Sequence, residues 1–166
     1  MIIKLSSYFL ALNFLLVFSS PLSARAEFPR LKTDGPRVVD PEGNTVKLKG
    51  VNLGNWLVLE MWMLSVKHDN IHDQYQMEQK LSERFGEAEK EHLMEVYRSN
   101  YITERDFKII RDFGMNVVRI PFEWEILEDE KKPFTLKENA WKWLDYTIEM
   151  AEKYDLYVIL DMHGAP

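Results

Sequence analysis

Three short apolar runs, separated by stretches with helical spacing, constrain this chain more than any other feature. They are Gly50-Val51-Asn52-Leu53-Gly54, then Met115-Asn116-Val117-Val118-Arg119-Ile120, which Pro121 ends, and Leu156-Tyr157-Val158-Ile159-Leu160-Asp161. Runs this continuous suit strands buried on both faces, as in parallel sheets covered by helices. Ahead of the second run, Thr103 and Asp106 have the spacing of a capping box. Phe107, Ile110 and Phe113 then follow at helical intervals, and Gly114 stands at the expected stop. Ahead of the third run, Trp141, Leu144, Ile148 and Ala151 mark one face of a helix over residues 138–153. Residues 78–98 read as one helix, or two broken near Gly86, with Leu81, Phe85, Leu93 and Val96 as its apolar positions. Residues 57–77 lack periodicity and read as a long ordered loop. Residues 37–48 read as a hairpin, with Arg37-Val38-Val39 and Val46-Lys47-Leu48 flanking the turn cluster Asp40 to Asn44. The order predicts an α/β fold of about three βα units on a parallel sheet, preceded by a β-hairpin. A dinucleotide-binding sheet competes, but Gly50 and Gly54 lack the Gly-x-Gly-x-x-Gly spacing it requires.

Length limits how far this pattern can close. A parallel barrel of this type takes roughly 200 residues or more, and the sequence has 166. It stops at Pro166, just after the third strand, so a fragment of a larger barrel is the expectation. The first 26 residues lie outside the fold on this reading. Lys4 precedes an apolar run from Tyr8 to Phe18, and Ala24-Arg25-Ala26 has the small-x-small form of a cleavage site. A secretory signal peptide cut after Ala26 is expected, with residues 27–166 as the exported barrel portion. The run is too short for the ~20 residues that span a bilayer, so no stable membrane anchor is expected.

Removing that segment takes away Lys4 and Arg25 and no acids, moving the formal net charge from −6 to −8. An acidic surface does not suit nucleic acid, whose phosphates need a basic one. With no cysteine, the chain has neither a disulfide framework nor a thiolate metal site. His68 and His72, with Asp69 and Asp73 beside them, could be written as a metal site, but no third ligand presents itself. Neither metal nor cofactor is expected.

Function in a parallel α/β barrel concentrates at the C-terminal ends of the strands. Asn52, Arg119 and His163 stand there. Arg119, inside a Val and Ile run, is costly unless its guanidinium finds partners. It could serve a site or be a structural ion-pair partner of Glu123 or Asp161. Asp161 could in turn hold His163 or Arg119. Cleaving a glycosidic bond needs two carboxyl groups, one to protonate the leaving oxygen and one to attack or to activate water. Glu60, Glu123 and Glu125 are available. The last two sit in an acidic stretch through Glu128, Asp129 and Glu130 that reads as a solvated loop, and no pair earns the role by spacing.

Four stretches in order resemble glycoside hydrolase family 5. They are Lys49 to Glu60, Tyr101 to Phe107, Val118-Arg119-Ile120-Pro121, and Asp161 to Pro166. They are most similar to its exo-β-1,3-glucanase branch. The resemblance implies a (β/α)8 barrel and a retaining double displacement through two glutamates on β-glucan, a polysaccharide or oligosaccharide substrate. Endo-β-1,4-glucanase or mannanase action, or a non-catalytic carbohydrate-binding protein, are the alternatives. The resemblance also implies substrate-binding roles for Arg119, His163 and Glu60, with Trp124 and Trp62 as candidates for stacking on sugar. The family's acid/base follows its fourth strand and its nucleophile the seventh. No catalytic glutamate is therefore expected in this sequence, and the 166-residue chain is expected to be inactive by itself. The complete protein is expected to be a monomer. Asn55 and Met61 stand where that branch usually has Gly and Pro.

Overall fold

The computed structural model describes residues 28–64 and 71–164. The expected signal peptide, His68, Ala165 and Pro166 lie outside the described residues. Among the described residues, seven strands and four α-helices follow one another as an α/β fold. β1 (Lys32–Asp34) and β2 (Arg37–Val39) form an antiparallel pair. β3 (Gly50–Asn52) leads through α1 (Gln74–Phe85), α2 (Glu87–Tyr101) and α3 (Glu104–Asp112) to β4 (Val117–Glu123). A 3-10 turn at Trp124–Ile126 precedes a small hairpin, β5 (Glu128–Asp129) and β6 (Lys132–Leu136). α4 (Lys142–Lys153) then leads to β7 (Tyr157–Gly164).

The central sheet is parallel, in the order β3-β4-β7. Every second side chain of β4 enters the main core. Val118, Ile120 and Phe122 face the helices and are buried against Phe107 and Ile110 of α3 and Leu144 and Ala151 of α4. Arg119, Pro121 and Glu123 therefore face the other way. Gly50 allows the first pairing, because a Cβ there would lie 1.7 Å from the backbone oxygen of Val117. The loop after β3 then plugs the core. Leu53, Trp56 and Leu57 are buried with these side chains, and Trp56 packs edge-on against Trp143 and Tyr146. Its indole N–H donates to the carbonyl of Arg98 at 2.8 Å, which ties the loop to α2.

Several expectations needed correction. Pro121 does not end its strand. β4 runs two residues further, and alternation turns the missing N–H of Pro121 towards β3. That neighbour stops at Asn52 and the chain bridges again only at Leu57, so no ladder bond is lost. Arg119 thus lies within the strand rather than at its end. His163, too, belongs to β7 rather than following it.

The upstream hairpin joins different partners. Arg37–Val39 pairs with Lys32–Asp34 through a two-residue turn of Gly35, at φ +56°, and Pro36. Thr45 and Val46 add only a bridge to Val39 and one bond to Val38.

The loop expected over 57–77 gives up its last residues to α1, because the Asp73 carboxylate caps Gln76 N–H at 2.8 Å. The break between α1 and α2 falls at Gly86, as the sequence allowed. Their buried positions, however, are Gln74, Lys90 and Met94, while Phe85 and Val96 are exposed. On α3 the capping box forms, with the Asp106 carboxylate accepting the backbone N–H and hydroxyl of Thr103, each at 2.8 Å. Phe113 is exposed at its end. α4 starts at Lys142, later than expected, and leaves Trp141 and Ile148 exposed. β7 is not buried: Ile159, Leu160 and Met162 are exposed, since no strand pairs its outer edge among the described residues. No helix among those residues is long and apolar enough to cross a membrane.

Candidate substrate site at the strand ends

The face of the sheet turned away from the helices gathers polar residues. Register sets Asn52 beside Arg119 on neighbouring strands. On β7, Asp161 accepts from the Arg119 guanidinium, and its Oδ2 also lies 3.0 Å from His163 Nδ1. Arg119 Nη2 and His163 Nδ1 are 3.2 Å apart, so guanidinium and imidazole meet at one carboxylate oxygen. A proton on Nδ1 would donate to Asp161 and leave Nε2 as an acceptor. A bulge accounts for the placement of His163. Phe122 pairs with Met162 and Glu123 with Gly164, which leaves His163 as the extra residue.

Glu60 arrives from another direction. Asn55 takes φ +59°, a region open to Gly and Asn at low cost, which explains how Asn stands where the similar branch has Gly. Its Oδ1 accepts the Glu60 N–H at 2.8 Å and closes the loop. Gln74, buried at the start of α1, accepts the Leu59 N–H at 2.7 Å. The Leu57 carbonyl accepts the Glu123 N–H at 3.1 Å. The loop is thereby stitched across the end of β4. Trp62 Nε1 donates to Glu60 Oε1 at 3.1 Å, and the Trp62 side chain remains largely exposed.

Together these segments enclose a cavity of about 420 Å³, lined by Glu60, Trp62, His72, Glu123, Trp124, Glu125 and His163 among others. Of the residues singled out from sequence, Glu60, Trp62, Trp124 and His163 line it. Arg119 does not; it lies below, paired with Asp161 and against His163. Glu123 and Glu125 depart from the sequence expectation. They are not in a solvated loop: one ends β4, the other lies in the 3-10 turn, and burial raises the carboxyl pKa of both. For Glu123 the nearby His163 opposes that shift, and for Glu125 the Glu78 charge adds to it. Reading β4 past Pro121 would have exposed the signal, since Glu123 sits at the same alternation phase as Arg119.

A second depression, of about 520 Å³, lies between α1, α2 and the β5–β6 hairpin and is lined mainly by charged groups. Its centre is Lys90, within 3.1 Å of Glu87, 2.7 Å of Glu91 and 3.5 Å of Glu78. Burial disfavours that ammonium, yet the hydrogen bonds it donates to Glu91 and Glu87 outweigh it and its pKa is raised. This is an ion network that pins α1 to α2. Among the described residues no group of three His, Cys, Asp or Glu side chains could hold a metal.

The same stretch of chain recurs in known proteins. A beta-xylosidase of Phanerodontia chrysosporium is 30% identical over 136 residues, covering 82% of this chain and 28% of its own length. A probable glucan 1,3-beta-glucosidase A of Emericella nidulans is 36% identical over 121 residues, covering 72% of this chain and 29% of its own. The chain thus spans under a third of the curated relatives it matches. Among solved structures, AoRut superposes with a TM-score of 0.58 at 28% identity, over 72% of this chain and 33% of that one. The rutinosidase from Aspergillus niger gives the same TM-score at 24% identity, over 72% and 34%, a likeness of fold. Residues 39–166 match the model of the cellulase family, glycosyl hydrolase family 5, and the chain belongs to that family.

Proposed function

We propose that the protein carrying this chain is an exported retaining glycoside hydrolase acting on β-linked glucan. Residues 27–166 form the first βα units of its (β/α)8 barrel, and residues 1–26 are a signal peptide. The observation that carries this reading is the cavity at the C-terminal ends of parallel strands. There, carboxylates, a histidine and two tryptophans from separate segments meet. Carboxylates and an imidazole acceptor suit hydroxyl groups, and exposed indole faces suit the apolar faces of sugar rings. The names of the relatives, glucan 1,3-beta-glucosidase and beta-xylosidase, fit that chemistry.

In this reading Glu60 and His163 bind hydroxyls of the sugar being cleaved. Trp62 and Trp124 cover it, and Arg119 with Asp161 fixes the histidine. The proton donor and the nucleophile come from later strands, so the 166-residue chain contributes binding without bond cleavage. The full-length protein incubated with laminarin should release glucose, and with carboxymethyl-cellulose much less. Failure to release sugar from laminarin, carboxymethyl-cellulose, mannan and xylan alike would overturn the hydrolase reading. The mature protein should begin at Glu27 when its N-terminus is sequenced from culture medium.

A further inference from the structure

We propose that Glu123 contacts the substrate directly and sets specificity, accepting hydrogen bonds from hydroxyls of a neutral sugar and excluding a uronic acid from the same place. The inference rests on the carbohydrate-binding reading above and names a residue that reading does not use.

Glu123 is held rigidly at its backbone. Its N–H is bonded to the Leu57 carbonyl at 3.1 Å, and strand pairing continues up to it on the other side. Its side chain is accommodated by a specific feature of β7. The bulge at His163 brings Gly164 opposite Glu123, and the carboxylate occupies the space a side chain at 164 would take. A Cβ there would lie 1.7 Å from Oε2 and 2.6 Å from Oε1. The carboxylate is thereby laid against a bare backbone at the floor of the cavity, next to His163.

Nothing among the described residues donates a hydrogen bond to it. Arg119 is taken by Asp161, and Glu60 receives the Trp62 indole. Among the described residues, no Lys or Arg lines the cavity. A carboxylate accepts several hydrogen bonds and, ionised, donates none. One that is partly desolvated and without a donor gains most from a ligand that supplies them. Burial raises its carboxyl pKa, and the nearby His163 opposes that shift. Vicinal hydroxyls of a neutral sugar meet that need. A sugar carboxylate meets like charge at close range, where low dielectric strengthens repulsion.

Two variants of the full-length protein test this, with thermal melting as the check on folding. Glu123→Gln keeps the shape and removes the charge. Gly164→Ala keeps the carboxylate but displaces it, and only the end of a flexible side chain has to move. Both should raise KM for laminarihexaose about tenfold with little change in kcat, the size expected for a hydrogen bond to a charged group. Glu123→Gln alone should also lower KM for a glucuronate-bearing oligosaccharide relative to the parent protein.

Unchanged KM in both variants overturns the assignment. So does a fall in kcat without a change in KM, which would mean that Glu123 acts through His163. If the parent protein cleaves no glycan, the hydrolase reading fails separately, and calorimetric binding of laminarihexaose decides on Glu123. Equal affinity of parent and Glu123→Gln overturns the assignment, as does absence of binding to either.

Discussion

The two faces of the β3-β4-β7 sheet obey opposite rules. On the helix side Val118 and Ile120 are fully buried, at 0% exposure, in a core closed by Phe107, Leu144 and Ala151. On the other side the Arg119 and His163 side chains keep 32% and 45% of their surface, and they meet Asp161 instead of apolar partners. β4 supplies Val118 and Ile120 to one side and Arg119 to the other. The difference teaches that stability and chemistry are separable here at the level of side-chain parity, so single substitutions on β4 and its neighbours should divide cleanly between them.

The largest effect should come from the closed face. Phe107→Ala leaves a cavity where a fully buried ring was and should cost about 3–5 kcal/mol in chemical denaturation. A loss under about 1 kcal/mol would mean that the core is not closed as described. Gly50→Ala should follow at roughly 3 kcal/mol, because the added carbon meets the Val117 backbone, which cannot rotate away. Arg119→Ala breaks the symmetry in the other direction. Its ion pair is about a third exposed, so melting should change by no more than about 1 kcal/mol. Turnover of the full-length protein should nonetheless fall about 100-fold, as when one oriented donor is lost from an active site. A large melting shift with turnover intact would assign Arg119 to structure.

Asp106→Ala removes the capping box of α3, remote from the site, and should cost about 1 kcal/mol without altering KM. The smallest effect is one of pH. Burial makes Glu123 and Glu125 hold their protons more tightly folded than unfolded. Just above the ordinary glutamate value the folded state therefore binds more protons, and stability falls as pH rises through that window. Replacing both by Gln should flatten that decline in a series of melts, whereas an unchanged slope would show that neither carboxyl is desolvated.

Much of the fold was legible because its signals are local. The capping box at Thr103 and Asp106, the break at Gly86 and the three strand runs depend on residues close in sequence. The errors have equally specific causes. Pro121 has the pattern of a strand stop, because proline usually lacks a place in a ladder, and only the departure of β3 at Asn52 gives it one. Trp141 and Ile148 have helical spacing, but Trp143, Thr147 and Met150 turn inward because α4 lies on α3 and the Trp56 plug. Of the residues lining the cavity, Glu60 and His163 fall inside the motifs of the family resemblance, and Trp62 and Trp124 stand close after two of them. Glu123 was not legible, because its acidic neighbours mimic a solvated loop.

By itself the sequence determined the α/β order, the parallel sheet and the family motifs. Periodicity, caps and glycines act over a few residues and carry those features wherever the chain goes. Only the tertiary structure decided which polar residues share a face and a cavity. That depends on strand register, on a one-residue bulge at His163, and on a loop tied down by Asn55 and Gln74. Each of these joins residues far apart in the chain, whose distances no local pattern encodes.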